Sequence, residues 1–497
     1  MSIQITASML YDLIHCPHRV SMDLFTDPAR RDPVNPFVQL LWERGNLYEK
    51  EVISGLDIPF LDLSIYRGDE KEKLTREAMA HGEPLIYGGR ISADGLLGDP
   101  DLLRREGQGY VPGDIKSGSG EEGGDEDAKL KKHYGVQLAL YADILARLGL
   151  SAGRRGFVWD IHGEEVPYDL AAPLGPKTPE SMWDVYAGGL AEAKASTGHV
   201  SKTAPAYGAV CKQCHWYTAC LGDLTAANDL TLIPELGRAK RDALATHAKT
   251  IADLAKIDID ACRGKGTKTV FQGIGIDTLI KLKERAALVA SPDPKPYLKA
   301  PLVLPVREVD IFFDIEVDPM RDVCYLHGFV ERRGGDSATE RYIAYFADEP
   351  TVASEEAAFA QAWAYLRGNP GTAIYYYSKY ERTIWRKLQQ KYSKVCTADE
   401  IEALFGSAVD LYFDVVRKHS EWPTKDYSIK TLAKYLGFAW RDAHPSGAAS
   451  IEWFDRWVKS GDTNVKQRVL DYNEDDCRAT RVLLDGLRNL PVRAVTS

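Results

Sequence analysis

Residues 307–317 read Arg-Glu-Val-Asp-Ile-Phe-Phe-Asp-Ile-Glu-Val, an apolar stretch that ends with two acidic side chains. Its β-branched and aromatic residues predict a buried strand. Asp314 and Glu316 are two residues apart, so they share one face of that strand, because side chains alternate between the faces. Two carboxylates on one face are suitable ligands for a pair of divalent metal ions. The stretch therefore predicts a hydrolytic metal site on a strand.

The sequence after this strand alternates between apolar strand patterns and helical patterns. The predicted order is two more antiparallel strands, a helix, a strand and another helix, at residues 325–330, 341–346, 355–366, 372–377 and 378–388. Glu381 opens the last helix at a strand end, and Asp410 follows in the run Val-Asp-Leu-Tyr. Tyr472 and Asp476 are one helical turn apart and can therefore point together.

This series resembles the DnaQ-like, RNase H-fold exonucleases of the DEDDy type, especially the YprB group, over residues 305–490. The resemblance implies an RNase H-like domain whose metal ligands and catalytic tyrosine are Asp314, Glu316, Glu381, Asp476 and Tyr472. Asp410 is a further candidate ligand, with a structural role as the alternative. Asp475 is the alternative to its neighbour as a ligand, and an RNase H fold without catalysis is the alternative for the whole domain.

A second group of charged residues lies in the first half of the chain. Asp101 follows Gly-Asp-Pro, and Asp114-Ile-Lys116 comes thirteen residues after it. On neighbouring strands, the two carboxylates can lie on either side of a Mg²⁺ ion, with Lys116 on the same side as Asp114. A cation beside a metal-bound water stabilises the attacking hydroxide. Gln137 and Tyr141 are four residues apart on a predicted helix and share a face.

Four cysteines are spaced as if to hold a metal centre: Cys16, Cys211, Cys214 and Cys220. Cys16 can take part only if the fold brings the two ends of this region together. A disulfide is disfavoured because nothing in the sequence indicates secretion. Thiolate-only ligation favours a [4Fe–4S] cluster. A zinc site that uses His215 or His18 is the alternative.

The order of these motifs resembles the RecB-like branch of the PD-(D/E)xK nucleases, in particular the CRISPR-associated RecB-like exonucleases and the AddB nuclease domain, over residues 1–224. The resemblance implies a restriction-endonuclease-like domain that a [4Fe–4S] cluster on the four cysteines holds closed. It implies that Asp101, Asp114 and Lys116 form the catalytic core. It also implies that Gln137 and Tyr141 position the active site and DNA.

The chain departs from this family at one position. Many members have a histidine metal ligand in the early helix, where this chain reads Gly45-Asn-Leu-Tyr48-Glu49. Glu49 is the predicted replacement ligand. Tyr48 favours the alternative in which this domain holds DNA without cutting it.

Residues 225–300 contain the basic part of an acidic chain. Between Glu235 and Ala300, thirteen Lys and Arg stand against eight Asp and Glu, a local charge of +5, whereas the whole chain carries −10. The turns Ile-Pro-Glu-Leu-Gly237 and Gln-Gly273-Ile-Gly resemble helix-hairpin-helix units, whose glycine turn approaches a DNA phosphate. A helical linker with ordinary glycine caps is the alternative.

The 497-residue chain is therefore predicted to be a multidomain α/β protein with a PD-(D/E)xK domain, a helix-hairpin-helix connector and an RNase H-like domain. No secretory leader pattern and no apolar run of about eighteen residues occurs, so a cytoplasmic protein without a membrane partner is expected. The sequence has no Gly-x4-Gly-Lys-Ser/Thr motif, so any helicase would be a separate partner.

The predicted function is hydrolysis of phosphodiester bonds in DNA, at single strands or duplex ends, with exonuclease action expected in DNA repair, recombination or nucleic-acid processing. Its predicted cofactors are Mg²⁺ or Mn²⁺ and the [4Fe–4S] cluster. The alternative is a scaffold that binds DNA ends, in which only the RNase H-like domain cuts, with RNA as the other candidate substrate.

Overall fold

The computed structural model describes residues 3–122, 129–175, 178–198 and 203–493. The chain forms two compact units. The N-terminal unit comprises residues 1–205 and 209–220, and the C-terminal unit comprises residues 206–208 and 221–497. Among the described residues, no helix is long and apolar enough to cross a membrane.

The N-terminal unit contains helices and strands in alternation. Its helices are α1 (Ala7–His15), α2 (Pro17–Phe25), α3 (Pro36–Ser54), α4 (Gly68–His81), α5 (Lys132–Arg147) and α6 (Met182–Thr197), with 3₁₀ turns at Pro28–Arg30 and Ala209–Gln213. Its strands are β1 (Ile5–Thr6), β2 (Leu61–Asp62), β3 (Leu85–Tyr87), β4 (Ile91–Ala93), β5 (Leu96–Gly98), β6 (Leu102–Glu106), β7 (Gly109–Ile115), β8 (Glu121–Glu122), β9 (Lys129–Leu130), β10 (Arg155–Trp159), β11 (Glu165–Asp169), β12 (Pro173–Gly175) and β13 (Thr178–Ser181). Helix α7 (Tyr217–Ala226) crosses the boundary between the units.

A six-stranded sheet with the order β11-β10-β7-β6-β3-β2 is the centre of the N-terminal unit. Every residue of β7 is buried, which explains why its sequence lacks the alternation of a half-exposed strand. Helix α5 packs on β7 and β10 through an almost continuous run of buried residues. Gly113 in β7 lies opposite Phe157 of β10, and a Cβ atom at Gly113 would lie 2.3 Å from the Phe157 ring, so the glycine leaves room for that ring.

The C-terminal unit begins with short helices and continues as an α/β sheet structure. Its helices are α8 (Gly237–Leu244), α9 (Ile251–Ala255), α10 (Ile276–Val289), α11 (Val352–Arg367), α12 (Tyr380–Lys391), α13 (Ala398–Ser407), α14 (Arg417–His419), α15 (Ile429–Tyr435), α16 (Gly447–Ser460) and α17 (Thr463–Arg488), with a 3₁₀ turn at Leu230–Leu232 and a π-helical turn at Leu411–Val416. Its strands are β14 (Tyr297–Leu298), β15 (Val309–Asp318), β16 (Val323–Arg333), β17 (Asp336–Phe346), β18 (Ala373–Tyr376), β19 (Val409–Asp410) and β20 (Ser420–Glu421).

The main sheet of this unit has the order β17-β16-β15-β18-β19. β15 to β17 are antiparallel neighbours, whereas β18 and β19 run parallel to β15. The strands and helices predicted between residues 325 and 388 are confirmed in kind and order. Both faces of β15 are covered. Phe313 packs with α11 and α12 on one face, and Phe312 packs with α17 on the other.

Residues 225–300 lie in the same compact unit as this sheet. Helices α8, α9 and α10 share a hydrophobic core of their own. Both predicted turns are present: Glu235 and Gly237 have φ values of +64° and +66°, and Gly273 has +74°. α8 follows the first turn and α10 follows the second.

A buried ion pair joins these helices to the sheet-bearing part. Arg285 of α10 is 1% exposed; its Nε donates to Glu421 at 2.8 Å and its guanidinium also donates to Glu235 at 3.0 Å. Glu421 accepts two further bonds, from Lys299 and from the Tyr427 hydroxyl, each at 2.6 Å. Part of the connector's basic excess is therefore paired inside the protein. The number of connector cations that could bind DNA is therefore smaller than the local charge of +5 indicates.

Candidate active site

Asp314 and Glu316 lie on β15 and share the face that the strand's period-two alternation predicts. In the antiparallel pairing with β16, Asp314 lies opposite Gly328 and Glu316 opposite Leu326, and the register shifts directly after Glu316. This face of β15 lies against α17, whose Asn473 donates to Asp314 at 2.7 Å. The strand therefore presents both carboxylates to a helix that begins almost 150 residues later.

Helix α17 supplies a third carboxylate, Asp476. Asp314, Glu316 and Asp476 each offer one oxygen, and these oxygens all lie within 4.8 Å of one another. In the described part of the chain, no other three His, Cys, Asp or Glu side chains meet that distance. Oxygen-only ligands suit hard divalent ions such as Mg²⁺ and Mn²⁺.

Placing three ionised carboxylates together in a buried site is electrostatically unfavourable. Burial, and then the charges of Asp476, Glu316 and Glu381, raise the pKa of Asp314 well above its usual range. Burial and the charge of Asp476 raise the pKa of Glu316 to about 8. A divalent cation between the oxygens would offset both the burial and the repulsion, so the residues present fit the metal that the sequence predicts.

Asn473 is a site residue that the sequence reasoning missed. It is fully buried; its side-chain nitrogen donates to Asp314, and its oxygen accepts from Tyr342 at 2.8 Å. A Cβ atom at Gly328 would lie 1.6 Å from this oxygen, so only glycine fits opposite Asp314. A glycine inside a strand signals a close approach, and Gly328 was the available sequence signal.

Lys430 is the second site residue that was missed. From α15, its Nζ lies 2.8 Å from the Tyr472 hydroxyl and 3.1 Å from Asp476 Oδ2. Trp440 completes this side of the site, because its indole nitrogen donates to Asp476 at 2.7 Å. Nothing local in the run Ser-Ile-Lys-Thr-Leu distinguishes Lys430 from an ordinary helix-surface lysine.

The neighbouring Asp475 has a different partner. Its carboxylate accepts from the backbone nitrogen of Arg441 at 2.8 Å and from the Arg441 Nε at 3.0 Å. It therefore binds a guanidinium on another side of α17. The alternative ligand considered from the sequence is not the one that joins Asp314 and Glu316.

Glu381, the predicted second-motif ligand, is the second residue of α12 and is 3% exposed. It is not a member of the close oxygen group, but burial and then the charges of Asp410 and Asp476 raise its pKa well above its usual range. Its Oε2 atom is buried and has no hydrogen-bond partner among the described residues. An unpartnered, buried carboxylate oxygen beside three other carboxylates is suited to a cation.

Asp410 holds the turn that carries Glu381. Its Oδ1 accepts from three backbone N–H groups, those of Ser378 at 3.0 Å, Tyr412 at 2.9 Å and Phe413 at 3.1 Å. Ser378 has φ +89°, a left-handed conformation that is strained for any residue except glycine. One carboxylate oxygen thus fixes a strained turn three residues before Glu381.

The family comparison agrees with this geometry. RNase_H_2, a model of the RNase H superfamily, matches residues 311–488. The matched region begins on β15 and ends at the last residue of α17, and it includes the whole carboxylate cluster. The C-terminal unit therefore contains an RNase H-like domain. No curated protein matches the chain.

The residues predicted as a nuclease core in the N-terminal unit also lie near one another. Lys116 Nζ lies 2.9 Å from Asp114 Oδ2 at the end of β7, and the backbone nitrogen of Ile115 donates to Asp101 Oδ2 at 2.8 Å. Burial and then the charge of Asp114 raise the pKa of Asp101 to about 8, with a smaller contribution from Glu49. Burial opposes the charge of Lys116, but the two aspartates raise its pKa.

The remaining predicted residues of this group surround it. Glu49 accepts from the Tyr87 hydroxyl at 2.9 Å, whereas Tyr48 donates to the backbone carbonyl of Asp160. Gln137 Oε1 is buried without a hydrogen-bond partner among the described residues. Burial, followed by the charges of the two aspartates, raises the pKa of Tyr141. Unlike the cluster on β15, these residues include no group of three carboxylates within 4.8 Å of one another among the described residues.

The structure brings Cys16 to the C-terminal cysteines of the same unit. Burial is the main cause that raises the pKa of Cys214, and the nearby thiols of Cys16 and Cys211 add to it. Asp23 of α2 accepts from His215 Nε2 at 2.7 Å and from Trp216 Nε1 at 3.0 Å. The structure thus contains the long-range contact that the cysteine spacing required, between α2 and the segment that contains Cys211 and Cys214.

The remaining candidate ligands take other bonds. The Nδ1 atom of His18 lies 3.0 Å from the Thr203 hydroxyl, and His215 is bound to Asp23 through Nε2. Within the described residues, no three cysteine sulfur atoms lie within 4.8 Å of one another.

Two substitutions at Asp410 separate a structural role from metal ligation. Asp410→Asn keeps an acceptor oxygen for the three N–H groups, so we expect its Mn²⁺ affinity in titration calorimetry to stay close to wild type. Asp410→Ala leaves the three N–H groups without their acceptor, and we expect the free energy of unfolding in urea to fall by about 1–3 kcal/mol. Asp314→Asn is the control for a lost ligand. An Asp410→Asn protein that loses Mn²⁺ as Asp314→Asn does would instead make Asp410 a ligand.

Proposed function

We propose that this protein is a divalent-metal-dependent nuclease whose RNase H-like domain hydrolyses nucleic-acid strands from an end. The carboxylate cluster of Asp314, Glu316 and Asp476 carries this proposal, because a fold alone does not imply an activity. DNA is the proposed substrate and RNA the alternative. Processing of DNA ends in repair or recombination is the proposed setting.

The carboxylates and the tyrosine of this site have different proposed roles. Asp314, Glu316 and Asp476 would hold the metal, with Glu381 beside them; Mg²⁺ or Mn²⁺ bound there would supply Lewis acidity for the attacking water and the phosphate oxygens. Burial, followed by the charges of Asp476, Glu316 and Asp314, raises the pKa of Tyr472 well above its usual range. Its hydroxyl accepts from Lys430 Nζ at 2.8 Å, and its proposed role is to orient the attacking water through a hydrogen bond.

Lys430 provides the positive charge on the Asp476 side. Its Nζ contacts both the Tyr472 hydroxyl and Asp476, so it fixes the tyrosine and remains beside the reacting phosphate. Negative charge increases on the phosphate oxygens in the transition state, and a fixed cation in a buried site stabilises it more than water does.

The N-terminal unit is proposed as a second nuclease site, with Asp101 and Asp114 as metal ligands and Lys116 as the stabilising cation. Its support is the Lys116–Asp114 contact at 2.9 Å and the raised pKa of Asp101. The alternative is a DNA-holding domain. The position of Tyr48, which bonds to the Asp160 carbonyl in place of a metal-binding histidine, favours that alternative.

One assay separates these possibilities. End-labelled single-stranded DNA and RNA of the same sequence are incubated in Mg²⁺ with wild-type, Asp314→Asn, Lys116→Ala and Asp314→Asn/Lys116→Ala proteins. In the Lys116→Ala background, we expect Asp314→Asn to reduce stepwise loss of the label by at least about 10²–10³-fold, because the ligand charge is lost. A double variant that cuts as fast as Lys116→Ala would refute the proposed site. If Lys116→Ala cuts like wild type while Asp314→Asn does not, the N-terminal unit is a scaffold.

A [4Fe–4S] cluster on Cys16, Cys211, Cys214 and Cys220 is also proposed, supported by the proximity of Cys16 to Cys214. Protein purified without oxygen should be brown and contain about four iron and four sulfide per chain, and Cys16→Ala should lose both. Cys396→Ala is the control, because Cys396 is buried in the C-terminal unit. Colourless protein with one zinc per chain would contradict the cluster.

A further inference from the structure

We infer that Lys379 and Lys434 bind backbone phosphates of the nucleic-acid strand on two sides of the carboxylate cluster. The inference rests on the proposed nuclease function and adds the residues that would hold the strand. Both lysines are exposed, and neither has a carboxylate within ion-pair distance among the described residues. In a chain with a net charge of −10, such cations next to a carboxylate cluster are available for an external anion.

Lys434 lies on the Asp476 side. It follows Lys430 by one turn of α15, and both ammonium groups lie over the ring of Trp440, at 5.9 Å and 5.7 Å from its centroid. The same indole donates to Asp476 at 2.7 Å. The Trp440 side chain therefore contacts both Lys434 and Asp476, a proposed metal ligand. At this position, Lys434 would bind a phosphate adjacent to the one that reacts.

Lys379 lies on the Glu381 side. It is the residue that precedes α12, two positions before Glu381, and its Nζ lies 4.7 Å from the centroid of the Phe413 ring. Phe413 lies in the π-helical turn Leu411–Val416, and its backbone nitrogen donates to Asp410. Asp410 also accepts from the backbone nitrogen of Ser378, the residue before Lys379. The anchored turn therefore fixes the position of Lys379 as well as that of Glu381.

Two other cations near the cluster already have carboxylate partners. Lys430 contacts Asp476 and Arg441 contacts Asp475, and both carboxylates are buried. The charges of Lys430 and Arg441 therefore offset buried carboxylates, whereas those of Lys379 and Lys434 do not. A strand that places one phosphodiester at the carboxylates has further phosphates on each side, at intervals that extended side chains can reach. Backbone phosphates are thus the anions that fit both positions.

The inference is tested by strand binding in an Asp314→Asn/Lys116→Ala parent, which removes a key residue from each of the two proposed cleavage sites. Fluorescence anisotropy with labelled single-stranded DNA, and separately with RNA of the same sequence, measures the affinity from about 0.05 to 0.3 M salt. Lys379→Gln/Lys434→Gln should flatten the slope of log affinity against log salt by about 1.4, which corresponds to about 25-fold weaker binding at 0.1 M. Lys387→Gln/Lys394→Gln is the matched control, because both lysines are exposed and unpaired among the described residues.

The outcomes are distinct. A double variant with the parent's slope and affinity, or a loss equal to that of the control, overturns the inference, as does a parent that binds neither strand. Loss with DNA alone or RNA alone identifies the strand that the lysines hold. Cleavage by the wild-type protein decides the proposed function independently. If the wild-type protein does not cut either strand but the lysine double variant shows the predicted change in slope, the two lysines bind phosphates and the proposed nuclease function is wrong.

Discussion

The C-terminal unit depends on how the repulsion among its buried carboxylates is balanced. Asp314 and Glu316 project from one face of a central strand, and α17 brings Asp476 to within 4.8 Å of them. Burial and mutual charge raise the pKa values of Asp314 and Glu316. Such a group stays fully ionised at neutral pH only with nearby donors and a cation, and the surrounding structure supplies the donors.

The hydrogen-bond donors around the cluster determine which residues can pack beside it. Asn473 donates to Asp314, and the absence of a side chain at Gly328 lets α17 approach β16 closely enough for that hydrogen bond. Trp440 and Lys430 donate to Asp476 from the other side. Asp410 holds the strained Ser378 turn before Glu381. These contacts hold the carboxylates of the cluster and the turn before Glu381 in place.

Local patterns were sufficient for the strand and the helical pair. The alternation in residues 307–317 placed Asp314 and Glu316 on one face, and the four-residue spacing placed Tyr472 and Asp476 together. Lys430 could not be found in this way, because its role depends on α15 packing beside α17, which is a long-range contact. The connector shows the same limit. Its basic excess indicated DNA, but the partner of Arg285 is Glu421, which lies 136 residues away.

The central claim is that Asp314, Glu316 and Asp476 bind a divalent metal ion. An anomalous difference map from crystals soaked in Mn²⁺ tests this claim most directly. We expect a peak bounded by these three carboxylates, with the Glu381 side chain turned towards it. A map with no peak at this position at millimolar Mn²⁺, and with Lys430 still bound to Asp476, would contradict the account.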